Sequence, residues 1–409
     1  MENTEKQLLN ITKYGAVADG AGVCTAAIQK AIDLCPKGGI VYIPAGTFIS
    51  GALFLKSNMT LFLEEGARLL GSNNIEDFPI AGGQFEGYNQ LCHASLLNTE
   101  GAPHENITID GKGIIDANGA ALFQKEMAEN KARRGRAVFI RNTRNLTIRN
   151  CTIRQSPAWC LHLLYCSNVL LDNIQIHTKY DENGKQYADI FNGDGIDIDA
   201  CQNVKIVNSM IASQDDCIAI KSGRDTAGRR AGIPSEHILI ENCSFQYGFG
   251  VAMGSEMSGG INHVTVKNCI FKDTFSIASI KAVRGRGAYI KNIRYENCSM
   301  TNRNCDIKAS KWFRGAIYMD AFYGKEETEF DADAPFQINE TTPVVENIHL
   351  ENINLDTAEG YAIYLCGLPE MPYKNVTLKN IKAQGPNGFF GKNMENLQLN
   401  NVEVNGCKY

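Results

Sequence analysis

The sequence NLTIRN at residues 145–150 is one copy of a repeat that runs through most of the chain. Each copy has Asn or His, an apolar residue, any residue, an apolar residue, any residue and Asn. The two apolar residues of a copy lie on one face of a strand, because side chains alternate along a strand. A weaker first copy, NITIDG, begins at Asn106, and the further copies begin at Asn168, Asn203, His237, His263, Asn292, Asn347, Asn375 and Asn396.

The spacing of the copies indicates how these strands stack. Most successive copies begin 21 to 39 residues apart, and one step, from Asn292 to Asn347, is 55 residues. Such periods are typical of a parallel β-helix, in which each coil covers the one before it. Crossovers between parallel strands are nearly always right-handed. We therefore predict an all-β fold: a single right-handed parallel β-helix domain over residues 1–409, with the repeated coils in 106–409.

The end positions of the repeat have a structural explanation. Asn tolerates the left-handed backbone conformation of a turn, and its side chain can bond to the equivalent residues of the neighbouring coils. His237 and His263 occupy the same position, so we assign them a structural role and not that of ligands. Residues 1–70 lack the repeat, and a short helix from Thr25 to Leu34 is predicted there as a cap on the open end of the solenoid.

The composition argues against several classes of function. A net charge of -5 and a pI near 5.9 argue against binding to nucleic acid, which requires a strong basic patch, and against attraction to an anionic membrane. The first residues, MENTEKQLLN, contain no apolar segment of a signal peptide, and no apolar run reaches the roughly 18 residues of a spanning helix. We therefore expect a cytoplasmic protein. The sequence does not indicate its oligomeric state.

The cysteines agree with that expectation. The chain has 14 of them, without a Cys-x-x-Cys pair or a zinc-binding spacing. Several follow the last Asn of a repeat copy, which predicts small buried side chains in a stacked row. Reduced thiols are typical of the cytosol.

Three aspartates are candidates for chemistry. Asp194 lies in Asn-Gly-Asp-Gly, and the adjacent Asp215 and Asp216 begin 21 residues later, about one coil. Stacked strands lie about 4.8 Å apart, so the carboxylates are expected to lie close together, where like charges raise one another's pKa. Adjacent residues of an ideal strand face opposite sides, so the pair shares a cleft only if the backbone turns there. Catalysis is favoured, and a calcium site and a purely structural role are the alternatives.

Arginines follow the aspartate pair directly. The segment SGRDTAGRRAGIPS, residues 222–235, contains Arg224, Arg229 and Arg230. It is interpreted either as a solvated loop or as a guanidinium cluster. Such a cluster suits a substrate with carboxylates, because the planar guanidinium binds a carboxylate through two parallel hydrogen bonds.

Six stretches carry a resemblance to a known family: ITKYGAVADG, QSPAWCLHLLYC, NGDGIDIDAC, QDDCIAIKSGRDTAGRRAGIPSE, GSEMSGG, and SIKAVRGRG with NIRYENC. Through them nearly the whole chain resembles glycoside hydrolase family 28, the polygalacturonases and related pectin hydrolases, and within it the bacterial exo-acting branch. The resemblance implies inverting hydrolysis, for which the acid and base carboxyl groups lie about 6.5–9.5 Å apart. It implies that Asp215 is the general acid and that Asp194 and Asp216 bind and activate the attacking water. It also implies substrate contacts from Lys281, Trp159 and His162; we predict no metal and no cofactor.

Two positions depart from the family's pattern. Gly248-Phe249-Gly250 stands where the family commonly has Gly-His-Gly, and Ser279-Ile280-Lys281 stands where it has Arg-Ile-Lys. The family's histidine supports the protonation state of the acid, and its arginine binds a uronate carboxylate. Either this chain cleaves a different pectic linkage, or a nearby arginine substitutes, or the enzyme is weakened. The nearby arginines that could substitute are Arg224, Arg229, Arg284 and Arg286. Of the residues at or near these positions, Phe249, Arg224 and Arg284 are predicted to contact substrate.

The presence of all three aspartates favours retained hydrolysis. We predict an exo-acting hydrolase of α-galacturonosyl linkages in pectin-derived oligosaccharides, with a uronate-containing oligosaccharide as its partner. The alternatives are a hydrolase of another pectic linkage of the rhamnogalacturonan type, a polysaccharide lyase on the same architecture, and a non-catalytic carbohydrate-binding relative.

Overall fold

The computed structural model describes residues 7–101, 103–129, 132–180, 183–187, 189–304, 307–326 and 331–409. Compact packing divides the chain into two units. The first contains Met1–Phe85, Asn89–Asp197 and Asn203–Met210, and the second contains Glu86–Tyr88, Ile198–Gln202 and Ile211–Tyr409. The single-domain boundary of residues 1–409 stays a prediction.

Nearly all strands within the described ranges pair in parallel, and the longer sheet contains 23 of them. Its strands are Leu8–Asn10, Asp19–Val23, Gly39–Ile43, Gly46–Ser50, Met59–Leu63, Ala67–Gly71, His104–Asp110, Ile114–Asp116, Thr143–Arg149, Thr152–Arg154, Ser167–Asp172, Gln175–His177, Gln202–Val207, Met210–Ser213, Ser235–Glu241, Ser244–Tyr247, Ile261–Lys267, Ile270–Lys272, Tyr289–Asn302, Val344–Thr357, Tyr373–Gln384, Met394–Val404 and Cys407–Lys408. The last pairing, to Cys407–Lys408, is antiparallel.

A second parallel sheet of 11 described strands supplies the chain segments on which the candidate site lies. Its strands are Leu53–Phe54, Leu97–Asn98, Val138–Arg141, Leu161–Leu164, Ile196–Asp199, Ile218–Lys221, Val251–Gly254, Ala278–Lys281, Gly315–Asp320, Tyr361–Cys366 and Phe389–Lys392. Ile80–Phe85 and Tyr88–His93 form a separate two-stranded sheet. This succession of parallel coils is the predicted β-helix.

Stacked rows of inward side chains form the core of each unit. In the first unit Leu61, Ile109, Ile148 and Leu171 are register partners on successive strands, and all are fully buried. In the second unit the same relation holds for the buried row Ile240, Val266, Tyr295, Leu350 and Leu378. Burial of each aliphatic side chain contributes about 1.5–3 kcal/mol. The apolar fourth positions in these rows thus stabilise their coils.

The asparagine ladders confirm the structural role of the repeat ends. Asn145 has a φ of 59°, and its side-chain amide donates to Asn106 at 2.8 Å and accepts from Asn168 at 3.0 Å. A second ladder connects Asn347 to Asn292 at 3.1 Å. His237 and His263 also have positive φ angles, and their rings stack with centroids 5.0 Å apart. These turn residues therefore bond or stack with their equivalents in neighbouring coils.

The helices lie in the segments between repeat copies. The α-helices are Thr25–Leu34, Ala120–Glu129 and Asp225–Ala231, and short 3-10 helices are Ile11–Tyr14 and Ile75–Asp77. The first α-helix has the predicted bounds and buries Ile28, Ala31 and Ile32. Its Gln29 side chain bonds both the N–H and the C=O of Phe54, at 2.9 and 3.1 Å, so the helix covers the first strand of the eleven-stranded sheet.

Two sequence expectations outside the repeat can be compared with the structure. The segment 222–235, interpreted as a loop or a guanidinium cluster, contains the helix Asp225–Ala231, which begins after Arg224 and ends at Gly232 with a φ of 60°. The cysteines that the structure describes carry free thiols, and all but Cys407 are buried. None of the described helices is long and apolar enough to span a membrane.

Candidate active site

Asp215 and Asp216 lie in a bend between the strands Met210–Ser213 and Ile218–Lys221. Adjacent residues of an ideal strand face opposite sides. The bend therefore allows the side chains of Asp215 and Asp216 to face one site. The Asp215 carbonyl accepts from the Ser213 hydroxyl at 2.7 Å and from the Phe249 N–H at 3.1 Å. The Asp216 N–H donates to Oδ1 of Asp215 at 3.0 Å. Backbone hydrogen bonds therefore fix the positions of both carboxyl groups.

Gly248 makes room for this bend. Its φ is +51°, and a Cβ at this position would lie 2.1 Å from the Asp215 carbonyl oxygen and 2.4 Å from the Ser213 hydroxyl. Real Cβ atoms do not approach backbone oxygens so closely, so only glycine fits here. The first glycine of Gly248-Phe249-Gly250 is thus required by the conformation of the carboxylate pair.

Asp216 is almost completely buried and is paired with a lysine. Only 4% of the residue is exposed, and its Oδ2 accepts from the Lys281 ammonium at 2.7 Å. Its Oδ1 has no hydrogen-bond partner among the residues that the structure describes. The pKa of Asp216 is raised to about 6, because burial and the Asp215 charge together outweigh the lowering effect of Lys281. The carboxylate is therefore a base that ionises close to neutral pH.

Lys281 is the last residue of the strand Ala278–Lys281 and is itself 2% exposed. Burial alone would lower the pKa of its ammonium group, but the Asp216 carboxylate outweighs that effect and the pKa is raised well above its usual value. Lys281 is therefore charged at any physiological pH. The sequence resemblance implied a contact between Lys281 and a substrate carboxylate, which stays a prediction; the structure assigns its ammonium to Asp216.

Asp194 lies two residues before the strand Ile196–Asp199 and is 3% exposed. Its carbonyl accepts from the Cys160 N–H at 2.9 Å. Asp215 and Asp216 belong to the second unit and offer carboxylate oxygens within 4.8 Å of each other. The grouping of Asp194 with this pair stays a prediction.

The carboxylate oxygens of Asp215 and Asp216 are closer than the 6.5–9.5 Å that inverting enzymes usually show between carboxyl groups. Oxygen donors also suit Ca²⁺, but that ion takes six to eight of them, and the ammonium of Lys281 already balances the charge of Asp216. The donor set fits acid–base chemistry better than a cation site.

Trp159 and His162 belong to a buried aromatic cluster in the first unit. They are 1% and 0% exposed, and their ring centroids lie 5.0 Å apart at a near-perpendicular angle. Phe85 stacks on Trp159 at 4.9 Å, and Phe139 stacks on His162 at 4.9 Å. Their predicted contact with substrate stays a prediction.

The two departures from the family's pattern are connected in space. The Phe249 ring stacks on Phe313 with centroids 3.2 Å apart and planes inclined by 8°. Its carbonyl accepts from the Ser276 hydroxyl at 2.6 Å, and the hydroxyls of Ser276 and Ser279 are 3.0 Å apart. Ser279 is fully buried. The stacked rings of Phe249 and Phe313 and the hydroxyls of Ser276 and Ser279 therefore occupy the region where the family's pattern has a histidine and an arginine.

Most of the candidate arginines are already occupied. Arg284 forms two hydrogen bonds with Glu370, at 2.6 and 2.8 Å, and Arg286 forms an ion pair with Asp225 at 2.5 Å. Arg229 donates to the carbonyls of Gly285 and Arg286 at 2.7 and 2.9 Å. Of these side chains, Arg284 was a predicted substrate contact, and this contact stays a prediction. In the structure its guanidinium group is bonded to the Glu370 carboxylate.

Arg224 differs from the other three. Its guanidinium lies over the ring of Tyr88 at 4.8 Å, and its nearest carboxylates, those of Asp225, Glu86 and Glu256, are 3.5 to 3.9 Å away. About a quarter of its side chain, 26%, is exposed. Lys221 lies beside the same Glu256 carboxylate at 3.6 Å. Long ion pairs leave this guanidinium better able to rearrange around a new carboxylate than the tightly bonded Arg284.

Sequence reasoning missed several residues of this region. The missed residues are Tyr88, in the two-stranded sheet, together with Glu256, Phe313 and Tyr323. Each of them contacts a predicted site residue. They lie between repeat copies, in segments without a periodic pattern. The only signal was the length of those segments, since solenoids commonly carry their binding residues there.

The comparisons with known proteins agree with this site. The family model of glycosyl hydrolases family 28 matches residues 83–407, and a model described as rhamnogalacturonase A/epimerase, pectate lyase-like, matches residues 8–67. A probable polygalacturonase of Vitis vinifera is 29% identical over 91% of this chain and 73% of its own length. An exo-poly-alpha-D-galacturonosidase of Dickeya chrysanthemi is 32% identical over 72% of this chain and 55% of its own length.

A solved structure gives the same result. The hyperthermoactive exopolygalacturonase from Thermotoga maritima superimposes with a TM-score of 0.82 at 25% identity, covering 99% of this chain and 93% of the other. The fold is a right-handed parallel β-helix, as predicted. The protein is a glycoside hydrolase. More narrowly, the chain belongs to glycosyl hydrolases family 28, which confirms the resemblance found in the sequence.

Proposed function

We propose that the protein is an exo-acting, inverting hydrolase of α-galacturonosyl linkages in pectin-derived oligosaccharides. The observation that carries this proposal is the pair of Asp215 and Asp216, which offer carboxylate oxygens within 4.8 Å of each other in a bend held by the hydrogen bond from the Asp216 N–H to Asp215. The relatives named as an exo-poly-alpha-D-galacturonosidase and an exopolygalacturonase support the substrate and the exo action. The chain spans 55% of the length of the first of these.

The three carboxylates have different roles in the proposed reaction. Asp215, which is half-buried, donates its proton to the glycosidic oxygen as the bond from that oxygen to the anomeric carbon breaks. Asp194 and Asp216 are assigned to the attacking water, and one of them accepts its proton as the water oxygen bonds to the anomeric carbon from the opposite face. Lys281 keeps Asp216 ionised, because it offsets the effect of burial on the pKa of that carboxyl. After one turnover Asp215 is ionised and the base carboxyl holds a proton, so proton exchange with solvent restores the starting state.

The substrate carboxylate requires a cation near the site. We assign this role to Arg224, because its ion pairs are long and its side chain is partly exposed. Lys221, at the end of the strand Ile218–Lys221, lies in the same group of charges. Ser279 in the strand Ala278–Lys281 is buried and neutral, so it cannot bind a uronate carboxylate as an arginine would. This role instead falls to Arg224, directly before the helix Asp225–Ala231.

The stereochemistry of the product tests the assignment of roles. Hydrolysis of an α-linked oligogalacturonide is expected to give the β-anomer first, because a water held by Asp194 and Asp216 attacks opposite the leaving oxygen. Proton NMR of the anomeric region in the first minutes measures this. The short distance between the carboxylates would suit a retaining enzyme by the usual spacing rule, so initial α-anomer would show that one aspartate is a nucleophile.

The substrate itself is tested with a panel of oligogalacturonides and rhamnogalacturonan fragments, with products separated by chromatography. Release of a monosaccharide from oligogalacturonides alone is the expected result. Release only from a rhamnogalacturonan fragment would favour the second candidate, a hydrolase of that linkage. The observation in favour of this alternative is the stacked pair Phe249 and Phe313 in place of a histidine, which makes the region less polar.

The two other classes have distinct signatures in the same assay. A lyase forms an unsaturated product that absorbs in the ultraviolet, and its activity is commonly lost with a calcium chelator. A non-catalytic relative binds the oligosaccharide without product, and its binding is unaffected by Asp215→Asn. The hydrolase that we propose gives no ultraviolet absorbance and retains its activity with chelator present, because Lys281 and not a cation balances Asp216.

We further propose a cytoplasmic location. Its support is the row of buried free thiols, of which Cys243, Cys269 and Cys298 lie on neighbouring coils, since unpaired cysteines persist in reducing compartments. Fractionation of the native host cells, followed by immunodetection, tests it. Detection outside the cytoplasm would overturn this part of the proposal alone.

A further inference from the structure

A tight turn between the strands Tyr289–Asn302 and Gly315–Asp320 presents an exposed tryptophan. Trp312 is 45% exposed, although burying such a large apolar side chain is favourable. The only other tryptophan, Trp159, is 1% exposed. A single exposed aromatic residue needs no explanation in general, so the inference rests on how this one is held and on what surrounds it.

The turn is rigidly bonded. The N–H of Ser310 donates to the carbonyl of Phe313 at 2.9 Å, and the reverse bond is 3.1 Å. The Trp312 N–H donates to the Ser310 hydroxyl at 3.3 Å, and the N–H of Gly324 donates to the carbonyl of Lys311 at 2.9 Å. The indole ring also packs so closely on Gly324 that a Cβ there would lie 2.4 Å from it. Trp312 is therefore held in place without being covered.

The residues next to Trp312 lead directly to the catalytic carboxylates. Phe313 stacks on Phe249 at 3.2 Å, and Tyr323 contacts the Trp312 ring with centroids 5.1 Å apart. The Lys281 ammonium lies 5.2 Å from the Tyr323 ring and 2.7 Å from Asp216. Tyr323 and Lys281 thus separate Trp312 from Asp216. This separation suits the sugar adjacent to the one that reacts and not the reacting sugar itself.

A cation lies beside the indole. The Lys311 ammonium is 5.8 Å from the Trp312 ring centroid, and its ion pair with Glu326 is long, 3.7 Å, with 57% of the Glu326 side chain exposed. Surface pairs of this kind contribute little, so Lys311 can exchange Glu326 for another carboxylate. An aromatic face next to an available ammonium matches a pyranose ring, whose C–H face is apolar, that bears a carboxylate.

We propose that Trp312 and Lys311 form a substrate subsite that binds a second uronic acid residue of the oligosaccharide. The sugar ring stacks on the indole and its carboxylate contacts the Lys311 ammonium. This inference rests on the proposed function, since it concerns the same substrate. It also explains how uronate selectivity persists with Ser279 buried: one carboxylate is recognised by Arg224 and another by Lys311.

The test uses the fluorescence of the two tryptophans in full-length protein that carries Asp215→Asn to prevent turnover. Trp312 is expected to be quenched by acrylamide in the free protein, and a tetragalacturonide is expected to protect it and to shift its emission to shorter wavelength. In the Trp312→Phe variant, where only the buried Trp159 remains, the protection should disappear. Calorimetry on the same samples reports binding independently of fluorescence.

Kinetics on the active protein give the second measurement. Trp312→Ala is expected to lower kcat/KM about tenfold for tri- and tetragalacturonide and by less than about twofold for the shortest substrate that is cleaved. Lys311→Ala is expected to show the same dependence on chain length. The matched control is Tyr409→Ala, another exposed aromatic residue, at 49%, which should leave all values unchanged.

The outcomes separate this inference from the function on which it rests. Hydrolysis and calorimetric binding with unprotected Trp312, or an equal loss for every chain length, would overturn the subsite and leave the proposed function intact. Absence of both hydrolysis and binding by any uronate oligosaccharide would overturn both. Protection of Trp312 together with the loss confined to longer substrates supports the subsite.

Discussion

Asp215→Asn is expected to lower kcat by about 10²- to 10⁴-fold, the range that a general acid contributes, with KM changed less than about threefold. Asparagine has nearly the same shape, and its side-chain oxygen can still accept from the Asp216 N–H, as Oδ1 of Asp215 does at 3.0 Å. The backbone bonds from Ser213 and Phe249 to the residue 215 carbonyl do not involve the side chain. The loss therefore reports the proton and not the fold.

The matched control is Asp172→Asn, a half-buried aspartate at the end of the strand Ser167–Asp172. Its carboxylate accepts a hydrogen bond from the Asn208 side chain at 2.9 Å, in the 23-stranded sheet. The substitution therefore removes a similar charge without altering the site. Its kcat should equal that of the wild type. Activity of Asp215→Asn within tenfold of the wild type, with an unchanged melting temperature, would contradict the assignment of the general acid.

The repeat could be predicted because each coil repeats the same local physics. An apolar residue at the fourth position packs on its equivalent in the next coil, as Ile148 does on Ile109 and Leu171, and the terminal Asn bonds to its equivalent. These contacts are set by register, so the sequence period alone indicates them. The predicted grouping of Asp194 with Asp215 rests on the same period, because 21 residues are about one coil.

The surroundings of the aspartates could not be predicted in this way. Arg284 was proposed as a substrate contact, but its partner Glu370 lies 86 residues further along the chain, where no periodic signal connects the two. The stack of Phe249 on Phe313 and the turn that holds Trp312 also belong to an insertion between coils. Such segments adopt conformations fixed by individual tertiary contacts, and a one-dimensional pattern contains no information about them.

The helix Asp225–Ala231 shows the same limit on a small scale. Its sequence, DTAGRRA, contains a glycine and no apolar stripe, so periodicity did not indicate a helix. The helix is stabilised instead by its neighbours: Gly228 fits against Gly223 and Ser258 with no space for a side chain, and Asp225 is bonded by Tyr88 and Arg286. The position of Arg224 depends on this packing, which is why the sequence indicated the residue but not its environment.

Lys281→Met is expected to move the acidic limb of the kcat/KM profile upward. In the wild type the pKa of Asp216 is about 6, so kcat/KM should fall as the pH drops through about 6, because the protonated carboxyl can no longer accept a proton from water. Lys281 lowers that pKa, and without its charge the pKa of Asp216 rises further. A rise of about one to two pH units, within the range that buried carboxyls show, lowers kcat/KM at pH 5 by about 10- to 100-fold.

The same substitution changes stability with a sign that distinguishes charge from packing. In Lys281→Met the folded-state pKa of Asp216 lies well above its unfolded value, so the folded state is penalised most at high pH, where the carboxylate must be buried without its partner. The deficit in melting temperature relative to the wild type should therefore be large at pH 8 and shrink towards pH 4. Lys281→Arg, which keeps a charge, should show a smaller deficit at pH 8. Lys281→Met combined with Asp216→Asn should abolish the pH dependence of the deficit, because neither member of the buried pair is then charged. In Lys281→Met alone, a deficit that is equal at every pH would mean that Lys281 acts by packing alone and that Asp216 is held ionised by other groups.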